Sequence, residues 1–372
     1  MKIINNASIS KVAVTCTAIA MFTNLTGCKQ SKEKKAEKTQ EKTTEVKKTR
    51  KYLAEPLVRD IFTADPSAHV FEGKIYIYPS HDIDAGTPEN DNGDHFDMKD
   101  YHILSMDSVG GKVTDHGVAL DIKDIPWAGR QLWAPDVAFK NGTYYLYFPV
   151  KDKKDVFRIG VATSKSPAGP FKPGKEPITG SYSIDPAVFT DDNGESYMYF
   201  GGIWGGQLQR WGKGSYEANG SKTDGQDDTK PALSCKVAKM SKDMLHFEGA
   251  VSDVVIVDES GKQILTGDHN RRFFEGSWMH KYNSKYYFTY STGDTHFLAY
   301  AVGDKPTGPF TYKGTFMDPV EGWTTHHSII KFKNKWYIFY HDTEISGKTH
   351  LRNVKVTELK HKPDGGIELI KP

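Results

Sequence analysis

The sequence predicts an all-β protein, a single five-bladed β-propeller over residues 54–372. Three observations predict it. A segment with the same order of features recurs five times. Aromatic residues make up 12% of the chain, with 34 glycines and 18 prolines, a composition suited to strands and turns. No sustained 3.6-residue apolar period, the mark of an amphipathic helix, stands out after residue 53.

The five segments are "DPSAHVFEGKIYIYPS" (65–80), "APDVAFKNGTYYLYFPV" (134–150), "DPAVFTDDNGESYMYFGG" (185–202), "EGSWMHKYNSKYYFTYST" (275–292) and "HHSIIKFKNKWYIFYHD" (326–342). Each runs from an anchor residue through a short apolar run and a turn into a Tyr/Phe-rich strand. Asn141-Gly142 and Asn193-Gly194 are hairpin signals, because a tight β-turn needs residues that tolerate positive φ; Glu72-Gly73 is a weaker one. The aromatic strands are apolar on successive residues, which fits packing on both faces between stacked blades.

The anchors stand at 65, 134, 185, 275 and 326, so the gaps are 69, 51, 90 and 51 residues. The shortest gap is close to the roughly 40–50 residues of a four-stranded blade. The longer gaps leave room for the polar, Gly-rich insertions at 82–100 and 205–232. The tail "HLRNVKVTELKHKPDGGIELIKP" supplies further strand for the last blade. A β-sandwich or a solenoid is the alternative architecture; a β-helix would need shorter and more regular repeats.

The N-terminal 53 residues read differently. Lys2 and Lys11 precede a mostly small and apolar run, Val12 to Leu25, too short and Thr-rich for a membrane span. It ends in "LTGC", which resembles the lipobox of a bacterial lipoprotein signal. That resemblance implies residues 1–27 as a cleaved signal, lipidation of Cys28, export, and anchoring to a membrane facing the periplasm or cell surface, with the outer membrane favoured. An ordinary secretory signal or an uncleaved anchor is the plainer alternative. Residues 28–53 read as a solvated tether, because Lys29 to Lys51 carries alternating charge and almost no apolar side chain, with a helical spacer as the second reading.

The whole chain has 49 Lys and Arg against 47 Asp and Glu, but residues 1–51 hold 12 and 4 of these. The remainder therefore has 37 basic and 43 acidic residues, a net charge of −6. A mildly acidic body argues against a nucleic-acid partner. Of the three cysteines, Cys16 leaves with the signal and Cys28 is lipidated, so Cys235 is expected to be a buried, unpaired thiol. No Cys/His cluster has the spacing of a zinc site. The loop "DNGD" (91–94) lacks EF-hand spacing and reads as a solvated rim loop.

Equivalent positions at the start of inner strands face one end of a propeller channel. This brings Asp65, Asp185 and Glu275 together. Taken singly, Asp65-Pro66 and Asp185-Pro186 could be turn chemistry. Jointly, three blades of five carry an acid at one repeat position. Three carboxylates at one pocket push their pKa values apart and suit acid/base work. The apolar neighbours Phe273, Phe274 and Trp278 are expected to keep Glu275 protonated near neutral pH.

These residues, with "LWAPDVAF", "SIDPAVFTDDNGESYMYFGG", "FFEGSWMHKY" and "HHSIIKFKNKWYIFYH", resemble glycoside hydrolase family 43 over nearly all of 55–372. The resemblance implies a five-bladed propeller that hydrolyses glycosides with inversion. It implies Asp65 as general base, Glu275 as general acid and Asp185 as the residue that tunes the acid. It further implies Trp133, His326 and Arg352 as substrate-binding residues, the last on strand position alone. His326 is the family's blade-five histidine, which helps hold a central ion or water; His327 beside it leaves that assignment open. No cofactor is required, and a calcium ion at the axis, reached by His326 through water, is left open. The family often has Pro where this chain has Ser277, a change expected to leave activity intact.

The activity implied is exo-hydrolysis of terminal β-D-xylosyl or α-L-arabinofuranosyl units from plant-type oligosaccharides or polysaccharides, by a monomer with no second module. The long insertions favour a walled pocket over an open groove. Endo-arabinanase or galactosidase action, and a non-catalytic carbohydrate-binding propeller, are the alternatives; the latter would not need all three acids. A phosphorylase would need a cationic cluster for phosphate, for which Arg271-Arg272 is the candidate.

Overall fold

The structure is a computed structural model that describes residues 55–224 and 227–372. The described residues form five small sheets. Blade 1 has β1 (Phe62–Phe71), β2 (Lys74–Asp82), β3 (Asp100–Met106) and β4 (Thr114–Asp121), hydrogen-bonded in that order. Blade 2 has β5 (Ala128–Leu132), β6 (Asp136–Lys140), β7 (Thr143–Asp152), β8 (Phe157–Ser164) and β9 (Lys172–Pro173); β5 and β6 both pair with β7. Blade 3 has β10 (Ala187–Thr190), β11 (Ser196–Phe200), β12 (Lys236–Lys239) and β13 (Ser252–Asp253).

Blade 4 has β14 (Ile256–Val257), β15 (Phe273–Tyr282), β16 (Lys285–Thr292), β17 (Leu298–Gly303) and β18 (Phe310–Met317), with β14 parallel to the outer strand β18. Blade 5 has β19 (His327–Phe332), β20 (Lys335–Asp342) and β21 (Asn353–Leu359). The inner strands touch in a closed ring, β1–β6–β10–β15–β19 and back to β1. That is a five-bladed propeller, as the repeat predicts.

The hairpins form where turn chemistry places them. Asn141 and Gly142 have φ of 50° and 72°, and Glu72 and Gly73 have 53° and 76°, the double positive φ of a type I′ turn. Helical structure among the described residues is limited to 3₁₀ turns, of which Trp204–Gly206 and Leu208–Trp211 lie in the long insertion of blade 3.

The aromatic strands hold the ring together. Each pair of adjacent blades encloses its own apolar cluster. Tyr78, Leu146 and Phe148 pack between blades 1 and 2, and Tyr147, Met198 and Phe200 between blades 2 and 3. Tyr199, Phe273 and Phe288 fill the third interface, Tyr287, Ile338 and Tyr340 the fourth. Ile77, Phe339 and Val356 fill the fifth, which closes the ring. Each such side chain contributes about 1.5–3 kcal/mol relative to exposure. The closure is reinforced by backbone bonds from Leu57 to Val354 and from Thr63 to Arg352, both 2.8 Å, so the start of the domain adds to the edge of blade 5. Cys235 is a free, buried thiol in the third interface, and burial pushes its pKa up to about 12, so it is inert.

Candidate active site

The inner strands do not start as regular β-structure. Asp65 and Asp185 have φ of 47° and 56°, a left-handed conformation that Asp tolerates better than most side chains. The β1–β2 register shifts between Ala64 and Ser67, and the β15–β16 register shifts on both sides of Glu275, where Gly276 takes φ of 65°. A bulge re-aims the side chain that a flat strand would send into the sheet. The Asp-Pro pairs are therefore not turns but left-handed kinks at the start of inner strands, and the kink presents the carboxylate.

All three acids line one cavity of about 310 Å³. Its walls come from every blade: Asn90, Gly93 and Phe96 from the blade 1 insertion, Trp133, Ile184 with Trp204, Phe274, and Trp323 with Arg352. The "DNGD" loop is thus more than a solvated rim. Gly93 is buried against the Trp133 ring, and a Cβ there would stand 2.7 Å from Trp133 Cη2. Trp133 is fixed by its Nε1 bond to the Phe96 carbonyl, 2.7 Å, and by an edge contact with the Phe96 ring.

Asp65 is the most heavily partnered of the acids. Arg352 donates to its Oδ1 at 2.9 Å, Ser80 donates to its Oδ2 at 2.7 Å, and its own N–H donates to His341 Nδ1 at 2.9 Å. Burial alone would favour the neutral acid. The charge of Arg352, helped by His341, His326 and the Ser80 hydroxyl, outweighs it and holds Asp65 at about 2. Arg352 is itself held by a fork onto Asp82, Nε and Nη2 each donating at 2.8 Å, and its plane lies 4.8 Å over the Phe96 ring. It reaches the cavity, but these donors are committed to Asp82, Asp65 and Thr324.

Glu275 has the opposite surroundings. Part of its surface opens to the cavity, but the protein around it is dense and apolar. A Cβ at Gly202 would meet both Ile184 and Glu275 Cβ, so the glycine lets the Ile184 side chain and the acid close up. Phe274 lines the cavity beside it, whereas Phe273 and Trp278 turn into the blade interfaces. Of the three apolar neighbours expected from the sequence, only Phe274 lines the cavity, and Ile184 joins it there. Burial first, then the negative charge of Asp65, raises Glu275 to about 8 against the pull of Arg352. Asp185 accepts from the Gly276 N–H at 2.9 Å, which ties it to the bulge that aims Glu275. Burial, with the charges of Glu275 and Asp65, raises it to about 7, against His326 and that N–H.

His326 faces the site, with Nδ1 3.6 Å from Asp65 Oδ1 and 4.0 Å from Asp185 Oδ2. His327 is fully buried, 2.7 Å from Thr289 Oγ1 beneath Phe316, and belongs to the core. Among the described residues His326 belongs to no cluster of three His, Cys, Asp or Glu ligands, and both nearby carboxylates have other partners. Calcium takes six to eight oxygens, so these residues do not by themselves build a calcium site. Arg271 pairs with Asp268, and the buried Arg272 with Asp224, so the two arginines form no phosphate cradle on the cavity. Ser277 is buried within β15.

Sequence reasoning missed Ser80, Asp82, His341 and Thr324, which hold Asp65 and Arg352, and Ile184, which desolvates Glu275. None occupies the repeat position that marks the acids.

One carboxyl held ionised and another held protonated in the same walled cavity, on a propeller axis, is the equipment of a glycoside hydrolase. The chain belongs to the glycosyl hydrolases family 43, whose model matches residues 55–367. It is 58% identical to a xylosidase/arabinosidase of Bacteroides ovatus, over 84% of this chain and 95% of that one. It is also 58% identical to xylosidase/arabinosidase 43A of Humicola insolens, over 85% and 99%. A family 43 β-xylosidase/α-arabinofuranosidase from a compost microbial metagenome, solved with xylotriose in a calcium-free form, superposes with a TM-score of 0.85 at 69% identity, covering 86% of this chain and 98% of that one.

Proposed function

We propose that the protein is an inverting exo-glycosidase that removes terminal β-D-xylosyl or α-L-arabinofuranosyl units from plant-type oligosaccharides and polysaccharides. The observation that carries this reading is the opposed protonation of Asp65 and Glu275 across one walled cavity. The names of the relatives support the sugar class.

In a single displacement, ionised Asp65 takes a proton from a water molecule as the water oxygen bonds the anomeric carbon. Glu275 gives its proton to the glycosidic oxygen as that carbon–oxygen bond breaks. Asp185 holds the Glu275 bulge through Gly276 and offers an acceptor to the sugar. Trp133 walls the sugar site, and His326 stands between Asp65 and Asp185. Arg352 keeps Asp65 ionised. Were a calcium ion bound beside His326, it would add positive charge next to Asp65 and Asp185, and His326 would be the residue to position it.

The cavity is closed around its sides by the blade 1 and blade 3 insertions, which supports exo action. The test is hydrolysis of aryl β-xyloside and aryl α-arabinofuranoside, with NMR of the first anomer released. Inverted product from either substrate is expected; a retained anomer, or no hydrolysis of both, overturns the reading.

The N-terminal expectations lie outside the described residues. The proposal there is a lipid on Cys28, with residues 28–53 as a tether and 54–372 as the catalytic domain, a monomer at the cell envelope. Mass spectrometry of the mature N-terminus tests it, together with fractionation of a Cys28→Ala variant, which is expected in the soluble fraction.

A further inference from the structure

A second concentration of ligand groups lies on blade 1, away from the acids. Ser80 on β2 reaches Asp65, so His81, the next residue, projects from the other side of the strand. The β2–β3 register pairs Ile77 with Leu104; continued along the strands, it sets His81 opposite Asp100. His102, two residues further on β3, shares the face of Asp100. The donor atoms of His81, Asp100 and His102 all lie within 4.8 Å of one another. His81 Nδ1 is 2.6 Å from Asp100 Oδ1, and the two imidazoles have centroids 4.6 Å apart. On β4, Asp115 holds His102 Nδ1 with both oxygens, at 2.9 and 3.0 Å.

We propose that His81, Asp100 and His102 form a binding site for one zinc-type transition-metal dication, with Asp115 orienting His102. Two imidazoles and one carboxylate match the ligand preferences of Zn²⁺, Co²⁺ or Ni²⁺, and not those of Ca²⁺ or Mg²⁺. The carboxylate on the far nitrogen of a ligating imidazole fixes its tautomer and raises its basicity, as Asp115 does for His102. All three ligands are partly exposed, so an ion can enter and water can complete a tetrahedral shell. The ion replaces the proton shared by His81 and Asp100 and releases it to solvent. Zinc spacing is absent from the sequence because His81 and Asp100 are 19 residues apart, joined across the rim insertion. The site would clamp β2 to β3 directly beside Asp82, the residue that forks onto Arg352.

The test uses metal-free enzyme without a histidine tag, titrated with zinc sulfate by calorimetry and with cobalt by visible absorption. One equivalent, a tetrahedral cobalt band and a higher Tm are expected. His102→Gln and Asp100→Asn should each abolish the band, and Asp115→Asn should weaken binding by about 10–100-fold. Hydrolysis of an aryl glycoside reports that each blade 1 variant is folded, and the control His326→Ala, whose folding is read by circular dichroism, should bind as the parent does. The proposal is overturned if the band is absent, if one equivalent of zinc still binds the His81→Gln/His102→Gln double variant, or if His326→Ala removes the binding.

Discussion

Blades 1 and 4 each present a carboxyl from a bulge in the inner strand, Asp65 at the left-handed position and Glu275 one residue before the left-handed Gly276, and hold the two in opposite states. Asp65 in blade 1 receives a guanidinium, two imidazoles and a hydroxyl, and stays ionised down to about 2. Glu275 in blade 4 receives Ile184, Phe274 and the charge of Asp65, and keeps its proton up to about 8. The repeat supplies the position, and the side chains that converge on it from other blades supply the chemistry. This division of labour lets two related bulges hold one carboxyl ionised and the other protonated, the states that the proposed base and acid need.

The comparison is broken most directly by amides. Glu275→Gln should lower kcat/KM on natural glycosides by about 10²–10⁴-fold. On a dinitrophenyl glycoside, whose leaving group needs no proton, it should lose far less. Asp65→Asn should lose activity to a similar degree on both substrates, because water activation is needed in each. Steady-state kinetics on the two substrates decide; equal losses for Glu275→Gln would remove it from the acid role.

The next largest effect concerns what separates the two environments. Arg352 is the cation shared by buried Asp65 and Asp82. Arg352→Ala leaves two buried carboxylates unpaired, a cost of about 3–5 kcal/mol. It should also raise the pKa of Asp65, so the acid limb of the pH–rate profile moves up. Arg352→Lys keeps the charge and loses the fork, and should fall between. Urea unfolding and pH profiles measure both; an Arg352→Ala enzyme as stable as the parent would show that another group holds Asp65 ionised. On the other side, kcat/KM should fall as pH rises through about 8, where Glu275 loses its proton. Ile184→Ala thins the apolar wall and should move that alkaline limb to lower pH; an unmoved limb would assign it to a different group.

Much of this was legible in the sequence. The repeat Asp65-Pro66, Asp185-Pro186, Glu275-Gly276 pointed to the propeller and to its three acids, because inner strands must start alike for blades to converge on an axis; in the structure Gly276, not Glu275, matches Asp65 and Asp185, so the acid of blade 4 sits one residue earlier. The aromatic runs gave the interfaces between blades. What stayed illegible was the layer that sets each acid's state. Ser80 and Asp82 look like the polar end of any strand, and only the β2 register brings them to Asp65 and Arg352. Ile184 reads as ordinary core until Gly202 is seen to make room for it. His326 and His327 could not be told apart because adjacent residues exchange faces with a one-residue slip. The metal cluster of blade 1 was invisible for a related reason: a rim insertion separates ligands that the sheet reunites.

The smallest effect is also the sharpest on the comparison, because its sign differs between the blades. Glu275 has a folded-state pKa raised well above the roughly 4.3 of an unfolded glutamate. Its neutral form is favoured by the fold, so its contribution to stability is full below that value and is lost as pH rises through about 8. Glu275→Gln, neutral at every pH, escapes that loss and should be more stable than the parent at pH 9, by on the order of 1 kcal/mol. Asp65 has a depressed pKa, so its stabilisation is present above the roughly 3.9 of an unfolded aspartate and is lost as pH falls through about 2. Asp65→Asn discards it and should be less stable than the parent at pH 7. Tm measured between pH 5 and 9 for the two amides should therefore diverge in opposite directions from the parent. Shifts of the same sign would mean that the two bulges hold their carboxyls alike, and the acid–base asymmetry would have to arise only when sugar fills the cavity.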